Sequence, residues 1–138
     1  MRSRSMVLAG ALALLAGGSA ACGTAAADPG PRTVHITIHH SAFAPALIAA
    51  RPGETIRFVL ENTDPIDHEF IIGNQRVQQV HEEGTESHHA ARPGEISVPA
   101  QETRVTTYTF ARVPARLLFG CHLPGHYDYG MRGVISIR

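Results

Sequence analysis

Lysine is absent from this chain of 138 residues, cysteine occurs only twice, and no apolar run is long enough to cross a membrane with confidence. Each absence excludes something. All twelve basic residues are arginine, and twelve Asp plus Glu cancel them to a formal net charge of zero. With no basic stripe along the chain, a nucleic-acid footprint is excluded. The longest apolar run, Met6 to Gly18, is about 13 residues, whereas a spanning helix needs about 20. The two cysteines, Cys22 and Cys121, are far apart in sequence and in very different contexts.

The first of them belongs to an export segment. Arg2 and Arg4 precede the apolar run, and small residues follow it, as in a secretory signal. Ser19-Ala20-Ala21-Cys22 resembles a bacterial lipobox, with Ser19 where a larger aliphatic residue is preferred. The competing cleavage point is Ala25-Ala26-Ala27, before Asp28. Residues 1–22 are therefore expected to be a signal peptide, with Cys22 as a lipidated residue and the one membrane attachment. The destination is the bacterial cell surface or periplasm. Residues 23–32 (GTAAADPGPR) read as a flexible tether. The remaining chain carries ten Arg against twelve acids, a net charge of −2. Cys121 is then a lone thiol in an oxidising compartment, where an idle cysteine would be exposed to oxidation.

Residues 33–138 form the expected single domain. Its patterning has period two: Val34, Ile36 and Ile38 alternate with Thr33, His35, Thr37 and His39, and Ile56, Phe58 and Leu60 alternate with Arg57, Val59 and Glu61. Residues 103–110, 116–121 and 133–138 are further strand candidates. Arg51-Pro52-Gly53, Asn62 to Pro65, Arg92-Pro93-Gly94 and Val113-Pro114 punctuate them as turns. Short strands at this spacing predict an all-β sandwich or barrel. Asn74 to Arg92 breaks the pattern; it is polar and acidic, and predicts a surface insertion of loop or short helix, too polar to enter a core.

The chemistry is concentrated near the C-terminus, in Phe119-Gly120-Cys121-His122-Leu123-Pro124-Gly125-His126-Tyr127-Asp128-Tyr129-Gly130-Met131. A thiolate, an imidazole and a thioether stand five residues apart each, with Pro124-Gly125 and Tyr129-Gly130 as turns between them. One loop can aim all three at one point. Cysteine with two histidines and a weak axial methionine is the blue-copper donor set, so one more histidine is needed. His68 is the candidate: it follows the turn Asn62 to Asp67 and opens the apolar run Phe70-Ile71-Ile72. Zinc also takes Cys and His, but a thioether such as Met131 is a poor zinc ligand.

The segment Cys121-x-Leu123-Pro124-Gly125-His126-x-x-x-Gly130-Met131-x-Gly133 resembles the copper loop of the cupredoxins, nearest to the rusticyanin and auracyanin type. Phe43-x-Pro45, Ile48, Gly53-Glu54-Thr55-Ile56, Asn62 and His68-x-Phe70 resemble the first half of the same fold. The resemblance covers Thr33 to Arg138. It implies a Greek-key β-sandwich and one type 1 copper ion held by His68, Cys121, His126 and Met131. It also implies single-electron transfer between transient redox partners; a monomer is expected, and no enzyme, since the sequence offers no open substrate-binding metal position or second metal cluster. An apolar patch around the second histidine, here Leu123, Pro124 and Tyr127, is where partners would dock. Two departures stand out. Glu69 follows the first histidine, where several cupredoxins carry a loop-bridging Asn. His122 follows Cys121 as in multicopper oxidases, but Gly120, not histidine, precedes it.

The other histidines read differently. His35, His39 and His40 are expected to face solvent, and His122 to point away from the metal. His81, His88 and His89 lie in the polar insertion, where a secondary metal site is the sharper reading and an exposed tract the blander one. The extra histidines favour, as the alternative function, an extracytoplasmic copper carrier or storage protein.

Overall fold

A computed structural model describes residues 30–84 and 92–138. The expected signal peptide, the tether up to Asp28-Pro29, and the pair His88 and His89 lie outside the described residues. Among the described residues, nine strands and one helix follow in order: β1 Arg32–His39, β2 Ala42–Ala44, β3 Leu47–Ala50, β4 Thr55–Asn62, β5 His68–Gly73, α1 Gln75–Glu83, β6 Glu95–Val98, β7 Thr103–Thr109, β8 Ala115–Gly120 and β9 Arg132–Ile137. One sheet has the order β2-β1-β4-β7 and the other β3-β9-β8-β5-β6. The pairs β1/β4 and β3/β9 are parallel and the rest antiparallel, which gives the expected Greek-key sandwich. No helix among the described residues is long and apolar enough to cross a membrane.

Alternation does the sorting. Ile36 and Ile38 of β1 and Ile56, Phe58 and Leu60 of β4 are buried completely, while Arg57 and Glu61 face out. Phe43 and Phe58 from one sheet meet Phe70 and Phe119 from the other, with ring centroids 5.2–5.8 Å apart. Phe70 lies two residues after His68 and Phe119 two before Cys121, so each anchors a strand directly beneath a candidate ligand. The β5/β8 ladder stops at the pair Ile71↔Gly120. Above that point the two strands part, and the side chains of His68 and Cys121 face one another.

The polar insertion does contain a helix, as expected, but it is not all surface. Asn74 caps α1 by accepting from the Val77 N–H at 3.0 Å. Gln78, one turn further, is 1% exposed. This corrects the expectation that the segment is too polar to enter the core. A buried amide is tolerated when its hydrogen bonds are made, and Gln78 donates to Ile71 O at 3.2 Å and Leu118 O at 3.4 Å.

Candidate metal centre

The ligand atoms of His68, Cys121 and His126 lie within 4.8 Å of one another, the one such group among the described residues. Their separations form a triangle. Cys121 Sγ is 3.2 Å from His126 Nδ1 and 4.0 Å from His68 Nδ1, and the two Nδ1 atoms are 3.3 Å apart. Three donors in a plane around one ion, at about 2.0 Å from nitrogen and about 2.3 Å from sulfur, sit roughly 3.5–3.7 Å apart. The triangle brackets that size. Met131 is 1% exposed and packs in the same core cluster as Cys121. Its N–H donates to His126 O at 3.0 Å and its carbonyl accepts from Cys121 N at 3.1 Å, closing the loop on itself. His68, Cys121 and His126 therefore gather at one end of the sandwich, and the backbone of Met131 is tied to two of them.

The supporting contacts are specific. His68 Nε2–H donates to Asp64 Oδ2 at 2.9 Å, which turns the Nδ1 lone pair toward the triangle. Asp64 is itself held by the N–H groups of His40 and Ser41 at 2.7 and 2.8 Å. Burial alone would raise its pKa, but those N–H groups and His68 outweigh it and hold the carboxyl below its ordinary value. Both His40 and Ser41 have positive φ, 51° and 52°, the conformation that points two successive N–H groups at one carboxylate. Glu69 ties the start of β5 to the loop around Cys121. Its N–H donates to Cys121 Sγ at 3.3 Å, and its Oε2 accepts from His122 N at 3.3 Å.

Electrostatics disfavour a free thiolate. Burial, aided by the carboxylates of Glu69 and Glu82 and opposed by the Leu123 and Glu69 N–H groups, pushes the Cys121 thiol up to about 12. Burial, with His68 nearby, lowers the pKa of His126. The donor set of one sulfur anion, two neutral imidazoles and a thioether is soft to borderline and suits copper.

One sequence expectation needs adjustment. Tyr127 is only 9% exposed and turned inward, so it is no part of an apolar docking patch; the exposed ring in this loop is Tyr129, at 93%. Gly120 explains the inward turn, because a Cβ there would lie 2.5 Å from the Tyr127 ring. His122 points away from the triangle as expected, and its side chain is 2% exposed, paired with Glu82 of α1. His81 Nδ1–H donates to Val77 O at 2.9 Å, and its Nε2 lies 3.8 Å from Glu95 Oε2. His35, His39 and His40 are exposed as expected. Asp64, Gln78 and Glu82 were not singled out from sequence. The four-residue spacing from Asp64 to His68 was the available signal.

Two sheets closed over a His-Cys-His centre define a cupredoxin. Auracyanin from Roseiflexus castenholzii superposes with a TM-score of 0.65 at 23% identity, covering 79% of this chain and 99% of that one. Auracyanin B gives 0.64 at 19%, covering 80% and 92%. A multicopper oxidase, mgLAC, gives 0.57 at 16%, with only 39% of its length covered. No family model matches the chain. The copper-resistant cuproprotein CopI of Rubrivivax gelatinosus is 32% identical over 111 residues, which cover 78% of this chain and 67% of CopI. CopI of Pseudomonas aeruginosa is 26% identical over 139 residues, covering 78% and 76%. The chain belongs to the CopI family.

Proposed function

We propose that this chain is an exported mononuclear copper protein that transfers single electrons. His68, Cys121 and His126 would form the plane around one type 1 copper ion, with Met131 as the weak axial ligand. The observation that carries this reading is the triangle of two Nδ1 atoms and one Sγ at 3.2–4.0 Å, with a buried methionine in the loop that closes it. Copper bound there supplies a one-electron change between Cu(I) and Cu(II).

The protein's part is to keep the donors still. His68 and Cys121 are both 0% exposed, and Asp64 and Glu69 fix them from outside the triangle. A site meant to hand over its metal must open; a buried one with pinned ligands favours an electron carrier. His126 is half-buried and gives the shortest way out. Redox partners would dock there briefly, over Leu123 and Pro124, through a small interface. Leu123→Asp should slow electron exchange and leave the colour intact; loss of colour at unchanged rates would remove the docking role.

The test of the centre is copper reconstitution of the domain, read by visible absorption and electron paramagnetic resonance. An intense thiolate-to-copper band is expected, lost outright in Cys121→Ser. A colourless protein with ordinary tetragonal copper would end the reading. A second reading, a copper carrier or store, is supported by the name of the relatives, copper-resistant cuproproteins. Fast reversible oxidation with no release of metal to an acceptor protein separates the first from the second. Export follows from the segment before Cys22, and Cys22→Ser should release the protein from the membrane fraction if that residue is lipidated.

A further inference from the structure

The helix α1 is an insertion between two strands of the copper-bearing sheet, and one of its side chains reaches the loop that holds Cys121 and His126. Gln78 touches three separate segments. Its amide donates to Ile71 O of β5 and Leu118 O of β8, which fixes the amide's orientation and leaves Oε1 as the acceptor. That oxygen accepts from His122 Nε2 at 2.8 Å. Glu82, one turn along the same helix face, accepts from His122 Nδ1 at 2.7 Å. Both ring nitrogens of His122 thus face oxygens of α1.

The held imidazole then holds a second ring. His122 and Tyr127 stack at 4.6 Å between centroids with 20° between planes, and Arg132 lies 5.3 Å over the Tyr127 ring. His122 is the residue after Cys121, and Tyr127 the residue after His126. Gly120 supplies the room, since a Cβ there would also lie 3.3 Å from Gln78 Oε1. The four residues Gln78, Gly120, His122 and Tyr127 make one packed unit on the side of the loop away from the ligand triangle.

We propose that Gln78 is a positioning residue of the metal centre, acting through His122 and its stack on Tyr127 to set the spacing of Cys121 and His126. This deepens the copper reading and rests on it. With the rings locked, the backbone at positions 122 and 127 is fixed, and with it the directions in which the neighbouring thiol and imidazole leave the chain. Outer contacts of this kind are typically worth 10–100-fold in metal affinity.

The test compares Gln78→Met, which keeps volume and removes all three hydrogen bonds, with Gln79→Met on the exposed face of the same helix. In metal-free protein the nuclear Overhauser contact between the His122 and Tyr127 rings should be lost in Gln78→Met and kept in Gln79→Met. In copper-loaded protein, Gln78→Met should broaden or shift the thiolate band and speed copper loss to a chelator by about tenfold or more. Adding His122→Phe, which retains a ring but no donors, should bring little further loss, because both changes break one pathway. Multiplying losses in the double variant, or a Gln78→Met protein with an intact ring contact and copper loss within about twofold of the parent, would overturn the proposal. Should Gln78→Met fail to fold, His122→Phe alone decides, since it breaks the same hydrogen bond from the other side. Copper loss within about twofold of the parent there would also overturn it. A parent protein that takes up no blue copper would instead defeat the copper reading, and the metal-free ring contact would still report on Gln78.

Discussion

Cys121 has to lose a proton before it can bind a metal, and its surroundings make that proton hard to remove. With the thiol pushed up to about 12, it is fully protonated at neutral pH. Copper binding must then expel about one proton, so apparent affinity should rise about tenfold per pH unit between pH 6 and 8. His126, whose pKa is lowered by burial and by His68, adds less to the slope than an exposed imidazole would. Competition against a chelator at several pH values checks this, and a flat profile would mean the sulfur is not the ligand. Glu69 acts on the same atom with the opposite sign from its own N–H. Its carboxylate raises the thiol pKa, while its backbone hydrogen bond to Sγ at 3.3 Å lowers it. A negative charge beside the centre favours Cu(II) over Cu(I). Glu69→Gln should therefore shift the reduction potential upward, on the order of 50 mV, which is about 1 kcal/mol for one electron. Redox titration of the two proteins measures it, and a downward shift would mean the carboxylate is not a charged neighbour of the copper.

Elements differ in how openly the sequence declares them, and the reason is what covers each face. β1 and β4 bury one face only, so their period of two is visible and their bounds are met within one residue. β5 is buried at all six positions, one face on the core and the other under α1, which leaves no alternation to read. His68 was found through the turn before it and not through the strand it opens. β2 and β3 have three and four residues, too few for a periodic signal. The copper loop was the most legible segment because its spacing answers to metal chemistry. Gln78 and Asp64 were the least legible, because their importance lies in partners far along the chain. Where β8 and β9 pair at Phe119↔Gly133, the absence of a side chain is itself structural. A Cβ on Gly133 would run into the Phe119 ring and lie 2.5 Å from Ala46 O. Gly133→Ala should cost about 2–3 kcal/mol in urea unfolding. Because Phe119 underlies Cys121, it should also perturb the thiolate band; a variant as stable as the parent would mean that β9 can shift freely.

The whole molecule separates its two ends. The metal triangle sits where β1 and β4 finish, and the opposite end is tied by charge. Arg32, at the start of β1, donates to Glu54 Oε1 at 2.7 Å and to Ala49 O at 2.8 Å, so one guanidinium joins a strand of each sheet and the turn before β4. The Arg32 hydrogen bond, aided by the Arg51 N–H and working against burial, holds Glu54 below its ordinary value of 4.5. A carboxyl whose folded-state pKa is depressed stabilises the fold at pH values above its unfolded value. That contribution is lost as pH falls through the lower, folded value. Glu54→Gln should thus be less stable than the parent at pH 6, by at most about 1 kcal/mol given Arg32's exposure, and the gap should close toward pH 3. Urea midpoints of both proteins at the two pH values measure the difference. The copper spectrum should be identical in both, since nothing links Glu54 to the triangle except the length of the sandwich. A gap that widens in acid would mean Glu54 is not the titrating partner of Arg32, and an altered spectrum would mean that the two ends are coupled.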